Sequence, residues 1–252
     1  MPQLKQITDF LNRQLAIAEY HDSSHNGLQV ENRSPIKHVC CGVDASMQFF
    51  QAAKAAGANL LVCHHGLSWG DSLKRITGLN YERLSYLIDN DMALYACHLP
   101  LDAHPQLGNN AQICKALGLV ELKPFGVYNG KEIGFEGRLP RPMRYARFKQ
   151  RVVKAIAPDL KCMDFGKQEV RRIAVVSGGA AQEIEEAGEK QIDVYISGEP
   201  ALVAYSLAQE YGINAIFAGH YATEVFGVRA LAELIKRKFR IKATLLDFGI
   251  PC

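Results

Sequence analysis

The feature that most constrains the fold is a series of short apolar runs that alternate with helical patterns. The segments 38–43, 59–63 and 92–97 are apolar and of strand length, and the segments 46–57 and 81–90 between them have helical patterns. Strands and helices that alternate in this way are typical of a parallel sheet whose strands are joined by crossover helices. The first half of the chain is therefore predicted to form a βαβαβ unit.

The second half of the chain repeats this order. Apolar runs at 172–177, 193–197 and 214–219 alternate with helical segments around 180–189 and 200–211. The pattern predicts a second βαβαβ unit with the same succession of strands and helices.

The two halves also match in register. His38 corresponds to Arg172, and Asn59 corresponds to Asp193, in both cases 134 residues later. Because two independent positions share one offset, we infer that the halves arose by an internal duplication.

The third strand of each half is followed by a histidine and, four residues later, by a carboxylate. His98 precedes Asp102, and His220 precedes Glu224, and each residue of the second motif lies 122 positions after its counterpart in the first. If a helix begins near His220, the spacing of four residues directs His220 and Glu224 to the same side of it. The repeated motif supports the duplication and indicates where the chemistry of each half lies.

A segment rich in glycine and proline, 123–142, separates the halves. Residues 130–139 alternate as a β-hairpin does, and residues 144–156 have a helical pattern. We predict two similar three-layer α/β domains, 1–125 and 126–252, with a metal site between them and with C-terminal residues able to pack back onto the first domain.

Residues that bind metals or transfer protons follow the predicted strands. In open parallel sheets, ligands bind outside the carboxyl ends of the strands, so groups that are distant in sequence can converge there. Imidazole suits zinc, iron and related ions, and carboxylates can bridge two cations. The pattern predicts a metal site with enough ligands for two ions. The residues concerned are His64, His65, His98, Asp102, Glu199, His220 and Glu224.

Other residues of these types are predicted to be structural. His21, His25 and His38 belong to no cluster, and His104 is interpreted as a loop histidine, with a role beside the metal or the substrate left open. Two consecutive glycines at 178–179 leave open an ordinary tight turn or a backbone site for phosphate.

Composition excludes several classes of protein. A net charge of +3 is too small to support nucleic-acid binding, and the basic run at 236–242 is interpreted as a solvated helix end followed by a strand. The seven cysteines are odd in number and form no C-x-x-C pair, which is typical of a reduced cytosolic chain. No apolar run approaches the ~20 residues of a membrane span. The predicted location is the cytoplasm.

Six motifs together resemble the Nif-three-like family, whose bacterial members are catalogued as GTP cyclohydrolase 1 type 2 homologues. They extend over almost the whole chain, from near residue 7 to near residue 250, and correspond to the short form of the family. The motifs are HDSSHNGLQV (21–30), VCHHGLSW (62–69), HLPLDAHPQLGNN (98–110), SGGA (177–180), SGE (197–199) and AGHYATEVFGVRAL (218–231).

The resemblance implies a toroidal homohexamer of subunits that each hold a dinuclear metal centre. The family's metal ligands fall on His64, His65, Asp102, His220 and Glu224, and Glu224 is the expected bridge. The resemblance also implies two divalent transition-metal ions per chain, with zinc or iron as the expected metals.

The motif histidine His98 is not among the family's usual ligands. We expect it, like Glu199, to lie beside the metals, where either residue could transfer protons in catalysis. Both are therefore predicted as candidate catalytic residues.

The family name implies hydrolytic opening of the purine ring of GTP, but no residue of this sequence can be tied to guanine. We expect a metal-dependent hydrolase of a nucleotide-like or other phosphorylated small molecule. Two alternatives stay open. One is a metal-handling or regulatory protein without turnover, and the other is a ring-shaped protein associated with nucleic acid, which the charge does not support.

Overall fold

The structure is a computed structural model that describes residues 1–252. It contains two β-sheets and nine α-helices, which confirms the predicted α/β class. The chain divides into two compact units. Unit 1 comprises Met1–Leu101 and Gly227–Phe248, and unit 2 comprises Asp102–Phe226 and Gly249–Cys252.

Unit 1 is built on a five-stranded sheet with the strand order β1-β4-β3-β2-β11. All neighbouring strands are parallel except β1, which pairs antiparallel with β4. The strands are β1 Gly27–Val30, β2 His38–Asp44, β3 Leu60–His65, β4 Ala93–Ala96 and β11 Lys242–Leu245. The helices are α1 Leu4–Gln14, the short 3-10 helix Ile17–Glu19, α2 Met47–Ala55 and α3 Leu79–Asp89.

The core of unit 1 explains why its strands are almost continuously apolar. Every residue of β2 except Asp44 is buried, as expected for a parallel strand that is covered on both faces. Phe49 and Phe50 of α2 are fully buried against this sheet, and each contributes roughly 1.5–3 kcal/mol of burial free energy. The Ser46 hydroxyl caps α2 by accepting a hydrogen bond from the Phe49 N–H at 3.2 Å.

Unit 2 is built on a six-stranded sheet with the strand order β5-β6-β8-β9-β10-β7. Strands β8, β9 and β10 are parallel, and the remaining pairs are antiparallel. The strands are β5 Val120–Tyr128, β6 Lys131–Arg144, β7 Lys161–Asp164, β8 Glu169–Val175, β9 Val194–Ser197 and β10 Asn214–Phe217. The helices are α5 Asn109–Ala116, α6 Tyr145–Ala155, α7 Ile184–Glu189 and α8 Leu202–Tyr211.

Two helices, α4 Leu99–Asp102 and α9 His220–Phe239, contribute residues to both units. The predicted domain boundary at residues 125 and 126 lies within β5 of unit 2. None of the helices combines the length and the apolar character that crossing a membrane requires.

The register of the sheets supports the duplication. Val39 of β2 pairs with Leu60 of β3, and the residues 134 positions later, Ile173 and Val194, pair in the same way in unit 2. The two halves therefore place their first two strands identically.

The third strands, β4 and β10, correspond with an offset of 121 residues, one less than the offset of 122 between His98 and His220. Ala96 of β4 pairs with Cys63, and Phe217 of β10 pairs with Ser197. His98 is thus the second residue after the paired end of its strand, whereas His220 is the third. One additional residue in unit 2 makes His220 the first residue of a helix, while His98 directly precedes one.

Candidate metal centre

Three imidazoles lie close together in unit 1. His64 and His65 are the last residues of β3, which extends two residues further than predicted, and His98 follows β4. One candidate ligand atom from each residue lies within 4.8 Å of those of the other two. The ring centroids of the adjacent His64 and His65 are 4.7 Å apart, and that of His98 is 5.1 Å from His64. Unit 1 thus provides a compact group of nitrogen donors.

The ring nitrogens of His64 and His65 are oriented by fixed acceptors. Nδ1 of the buried His64 lies 2.9 Å from the carbonyl oxygen of Cys97, and Nδ1 of His65 lies 2.8 Å from Oδ1 of Asp44. A carbonyl or carboxylate oxygen can only accept, so the neutral ring carries its proton on Nδ1 and its lone pair on Nε2. This arrangement is the one that metal-binding histidines adopt in proteins.

His98 is held in the same manner by Asp22. Its Nδ1 lies 2.9 Å from Oδ1 of Asp22, whose side chain is only 2% exposed. Asp22 also accepts the backbone N–H of Leu99 at 3.0 Å, the backbone N–H of Ser24 at 3.0 Å and the amide of Asn26 at 2.9 Å. Burial raises the pKa of Asp22, but the hydrogen bonds from His98 and the other donors have the larger effect together and lower this pKa to about 2. Asp22 is therefore an ionised carboxylate behind His98.

Sequence reasoning missed Asp22 and Asp44 as parts of the site. Asp22 lies before the short strand β1, in a segment without apolar periodicity, and Asp44 reads as the polar end of β2. The signal that could have identified Asp44 is its position at the carboxyl end of a parallel strand.

In unit 2, Asp102 is fixed by a buried polar network. Its Oδ1 accepts hydrogen bonds from the Asn109 amide at 2.8 Å and from the Ser177 hydroxyl at 3.0 Å. The Ser177 backbone N–H donates to Oδ1 of Asn110 at 2.7 Å, and Asn110 donates to the carbonyl of Ile133 at 2.7 Å. Because buried polar groups need such partners, these side chains hold the Asp102 carboxylate in one orientation.

His220 stands between two carboxylates of unit 2. Its Nδ1 lies 2.7 Å from Oε1 of Glu199, and its Nε2 lies 3.0 Å from Oε1 of the buried Glu224. The spacing of four residues on α9 places His220 and Glu224 on one face, as predicted. The hydrogen bond to Glu224, followed by the charges of both carboxylates, outweighs burial and raises the pKa of His220 to about 9. A metal cation bound at Nε2 would replace the proton that Nε2 shares with Glu224.

The glycine motif at 178–179 forms a tight turn that is required for this geometry. Gly178 has a φ of 70° and donates its N–H to Oγ1 of Thr223 at 3.0 Å. Its carbonyl accepts the N–H groups of Gly198 and Glu199 at 2.9 and 3.1 Å. A Cβ atom on Gly178 would lie 2.4 Å from Oε1 of Glu224. The turn thus joins the SGG and SGE motifs and leaves room for the carboxylate.

The remaining histidines described as structural have local partners. His38 bonds to the carbonyl of Ala56 at 3.1 Å and to Oγ1 of Thr244 at 2.9 Å. Nδ1 of His104 accepts the N–H groups of Gln106 and Leu107 at 3.1 and 3.0 Å, which closes a loop turn. These contacts account for both residues through the fold alone.

The donor types in the two units fit a transition-metal ion. Unit 1 presents imidazole nitrogens, and unit 2 presents one imidazole together with buried carboxylates. Nitrogen and oxygen donors of this kind suit zinc and iron. The histidine and glutamate groups of this chain can therefore hold metal ions.

Comparisons with known proteins find similar sequences over almost the whole chain. The family model Duf34/NIF3 (NGG1p interacting factor 3) matches residues 2–248. A Deinococcus radiodurans protein named GTP cyclohydrolase 1 type 2 homolog is 44% identical over 243 residues, which cover 96% of this chain and 92% of that protein.

Solved structures show the same fold. The structure described as "Structural genomics, protein ybgI, unknown function" has a TM-score of 0.93 and 31% identity, with 99% of this chain and 100% of that chain covered. The structure of TTHA1606 from Thermus thermophilus has a TM-score of 0.90 and 32% identity, with the same coverage of 99% and 100%.

Proposed function

Because this chain belongs to the Duf34/NIF3 family, we propose that it is a dinuclear metal protein that acts as a metal-dependent hydrolase. The observation that carries the proposal is the orientation of four histidines. Nδ1 of His64, His65, His98 and His220 lies against a carbonyl or carboxylate oxygen in every case. His38 has the same orientation, but its Nε2 bonds to the Thr244 hydroxyl. By contrast, one candidate ligand atom from each of His64, His65 and His98 lies within 4.8 Å of those of the other two, as expected for metal-binding histidines.

We assign five ligands to the two ions, which are either zinc or iron. The expected ligands are His64, His65, Asp102, His220 and Glu224, with Glu224 as the bridge.

When bound, such ions would supply Lewis acidity and lower the pKa of water. The residues of the chain would orient the ligands and move protons. The buried Asp22 carboxylate can stabilise a positive charge on His98, which suits His98 to accept a proton. Glu199 contacts Nδ1 of His220 and is half-exposed, so it can orient that ring and exchange protons with water.

The proposed substrate is a nucleotide-like or other phosphorylated small molecule. The support for it is the name of the relatives, GTP cyclohydrolase 1 type 2 homolog, and the family resemblance of the site.

A screen of metabolite extracts with metal-loaded protein tests the hydrolase. His64→Ala serves as the blank, because it removes a buried candidate ligand, and His25→Ala is the control at an exposed histidine outside the proposed ligand set, whose Nδ1 contacts the Ser68 hydroxyl. The hydrolase predicts depletion of a phosphorylated metabolite by the wild type and His25→Ala but not by His64→Ala. Metal binding that exchanges readily, without any depletion, would contradict it and favour the metal-handling alternative.

We further propose that the subunits assemble into a toroidal homohexamer in the cytoplasm, as the family resemblance implies. Light scattering should then give a mass near six times the 27.9 kDa of one chain. A monomer at micromolar concentration would contradict the assembly.

A further inference from the structure

A cavity of about 570 Å³ lies in unit 2 where β6 ends and α6 begins. Four of the residues that line it are arginines, and one is a glutamate. The cavity is lined by Gly118, Leu139, Pro140, Arg141, Pro142, Met143, Arg144, Arg147, Arg151 and Glu169. None of these residues belongs to the candidate metal centre.

The sequence shapes one wall of this cavity with two prolines. Pro140 and Pro142 have no N–H group and cannot donate to a neighbouring strand. The pairing of β6 with β8 accordingly shifts between Arg138 and Met143, where the residues 139–142 face only Arg171 of β8. The additional residues of β6 are not paired with β8 and form a bulge, which contains Arg141 between Pro140 and Pro142.

Another part of the lining consists of arginines at the start of α6. Arg147 and Arg151 are four residues apart on one face of the helix, and Arg144 directly precedes its first residue. Arg151 is half-buried and anchored by a hydrogen bond to the carbonyl of Leu117 at 3.1 Å. The first turn of α6 carries no acidic residue that would offset the positive end of the helix dipole.

The charge of the cavity is strongly positive. Four guanidinium groups face one carboxylate, Glu169, which gives a local charge of +3, equal to the formal net charge of the entire chain. Arg141, Arg144 and Arg147 are exposed and take part in none of the ion pairs of unit 2, which use other cations. Three arginine side chains are thus available to an external anion.

We propose that this arginine-lined cavity binds a phosphorylated small molecule of nucleotide size. Guanidinium groups form paired, charge-assisted hydrogen bonds with phosphate oxygens. The accessible apolar surfaces of Pro140, Pro142 and Met143 suit an uncharged body, such as a nucleobase, attached to the phosphates. The volume lies within the range of roughly 300–1,000 Å³ that is usual for small-ligand sites.

This site is separate from the candidate metal ligands of unit 2. Glu169 begins β8 at the cavity, whereas Ser177 follows the opposite end of the same strand beside Asp102. Seven residues of β-strand span about 20 Å. Binding at the cavity therefore goes beyond the proposed metal function and can succeed or fail independently of it.

Isothermal titration calorimetry of the full-length protein with inorganic pyrophosphate, adenosine triphosphate and adenosine tests the proposal. Pyrophosphate and the triphosphate should bind with a Kd of about 0.1 mM or tighter, and adenosine alone should bind much more weakly. Tighter binding of the triphosphate than of pyrophosphate would assign a contribution to the apolar wall. Equal binding would limit the ligand to its phosphates and overturn the proposed role of that wall.

Variants identify where the anion binds. Arg144→Ala and Arg147→Ala should each weaken binding about tenfold, while Arg147→Lys, which keeps the charge and loses the paired donors, should weaken it less. Arg237→Ala, at an exposed arginine of α9 outside the cavity, and His64→Ala should bind as the wild type does. No binding to the wild type at ~1 mM ligand, or binding that is lost in His64→Ala and kept in Arg147→Ala, would overturn the proposal.

Discussion

Unit 1 and unit 2 both place candidate metal ligands at the carboxyl ends of parallel strands, but the ligand types differ. Unit 1 places His64, His65 and His98 together, and each ring is fixed through Nδ1. Unit 2 places a single imidazole, His220, between the carboxylates of Glu199 and Glu224. One half is thus suited to supply neutral nitrogen donors, and the other is suited to supply negative charge to a divalent cation.

The difference shows how a duplicated scaffold can diverge by one residue. The additional residue before His220 places it within α9, so that Glu224 falls one turn later on the same face. His98 remains outside a helix and contacts Asp22 instead. Similar motifs in the sequence therefore give dissimilar surroundings in the fold.

The largest effect is expected for Gly178→Ala in unit 2. The added Cβ would lie 2.4 Å from Oε1 of Glu224 and 3.2 Å from Nε2 of His220, so it would displace both candidate ligands. We expect a variant that loses most of its bound metal. Gly130→Ala is the matched control, because Gly130 has a similar φ of 76° but no atom within 4 Å of the added Cβ.

Both glycine variants carry the backbone strain of a side chain at positive φ, roughly 1 kcal/mol. Elemental analysis and thermal unfolding of the pair therefore separate this strain from the contact with the ligands. Equal metal content in the two variants would refute the role of Gly178 in the site.

The next largest effect is expected to distinguish His220 from His98. His220→Ala should lose metal, because His220 is a predicted ligand. His98→Ala should keep near-normal metal content and lose most turnover, because His98 is predicted to transfer protons. Equal metal loss in both variants would make His98 a direct ligand, a role that its Nδ1 contact with Asp22 would also suit.

The sequence was sufficient for the order of strands and helices within each βαβαβ unit because their apolar periods are clear. The prediction of a hairpin over 130–139 was wrong, because residues 131–139 belong to the single strand β6, which pairs with β5. The register of β2 with β3 and of β8 with β9 also followed, since duplication imposes it. The short strands β1 and β7 were not predicted. Each has only four residues and lies at an edge of its sheet, so burial leaves little pattern in the sequence.

The candidate metal ligands could be predicted from the sequence, but the residues that orient them through hydrogen bonds could not. Residue type and position after a strand select His64, His65 and His220, because the chemistry of the side chain is visible in the sequence. The partners Asp22 and Ser177 act through contacts distant in sequence, which no local pattern encodes.

A smaller effect is expected for Asp22→Asn in unit 1. The pKa of Asp22 is lowered from 3.8 to about 2 in the folded protein, so its contribution to stability is present above about pH 4 and is lost as the pH falls toward 2. The variant should unfold with a free energy about 2 kcal/mol lower at pH 7, and the difference should shrink between pH 4 and pH 2.

Denaturant unfolding of the metal-free proteins measures this difference. Asp9→Asn is the control, because the exposed pair of Asp9 with Lys5 should contribute no more than about 0.5 kcal/mol. A difference for Asp22→Asn that is independent of pH would contradict the assignment of an ionised Asp22.

The smallest effect contrasts the thiols of the two units. Cys40, Cys41, Cys63 and Cys97 of unit 1 are all buried, whereas unit 2 has one buried cysteine, Cys114, and two exposed ones, Cys162 and Cys252. A thiol reagent should modify two cysteines of the native protein, identified by peptide mass spectrometry. Burial raises the pKa of Cys162, so Cys162 should react more slowly than its exposure alone implies. Rapid modification of a unit 1 thiol would contradict the compact core described here.

The most direct test of the central claim is the number of metal ions bound per chain. Elemental analysis of the protein purified under metal-replete conditions should find up to two zinc or iron ions per chain, and Glu224→Ala should lose most of them if Glu224 bridges. Absence of metal from the purified protein, together with no binding of added zinc or iron, would contradict the account.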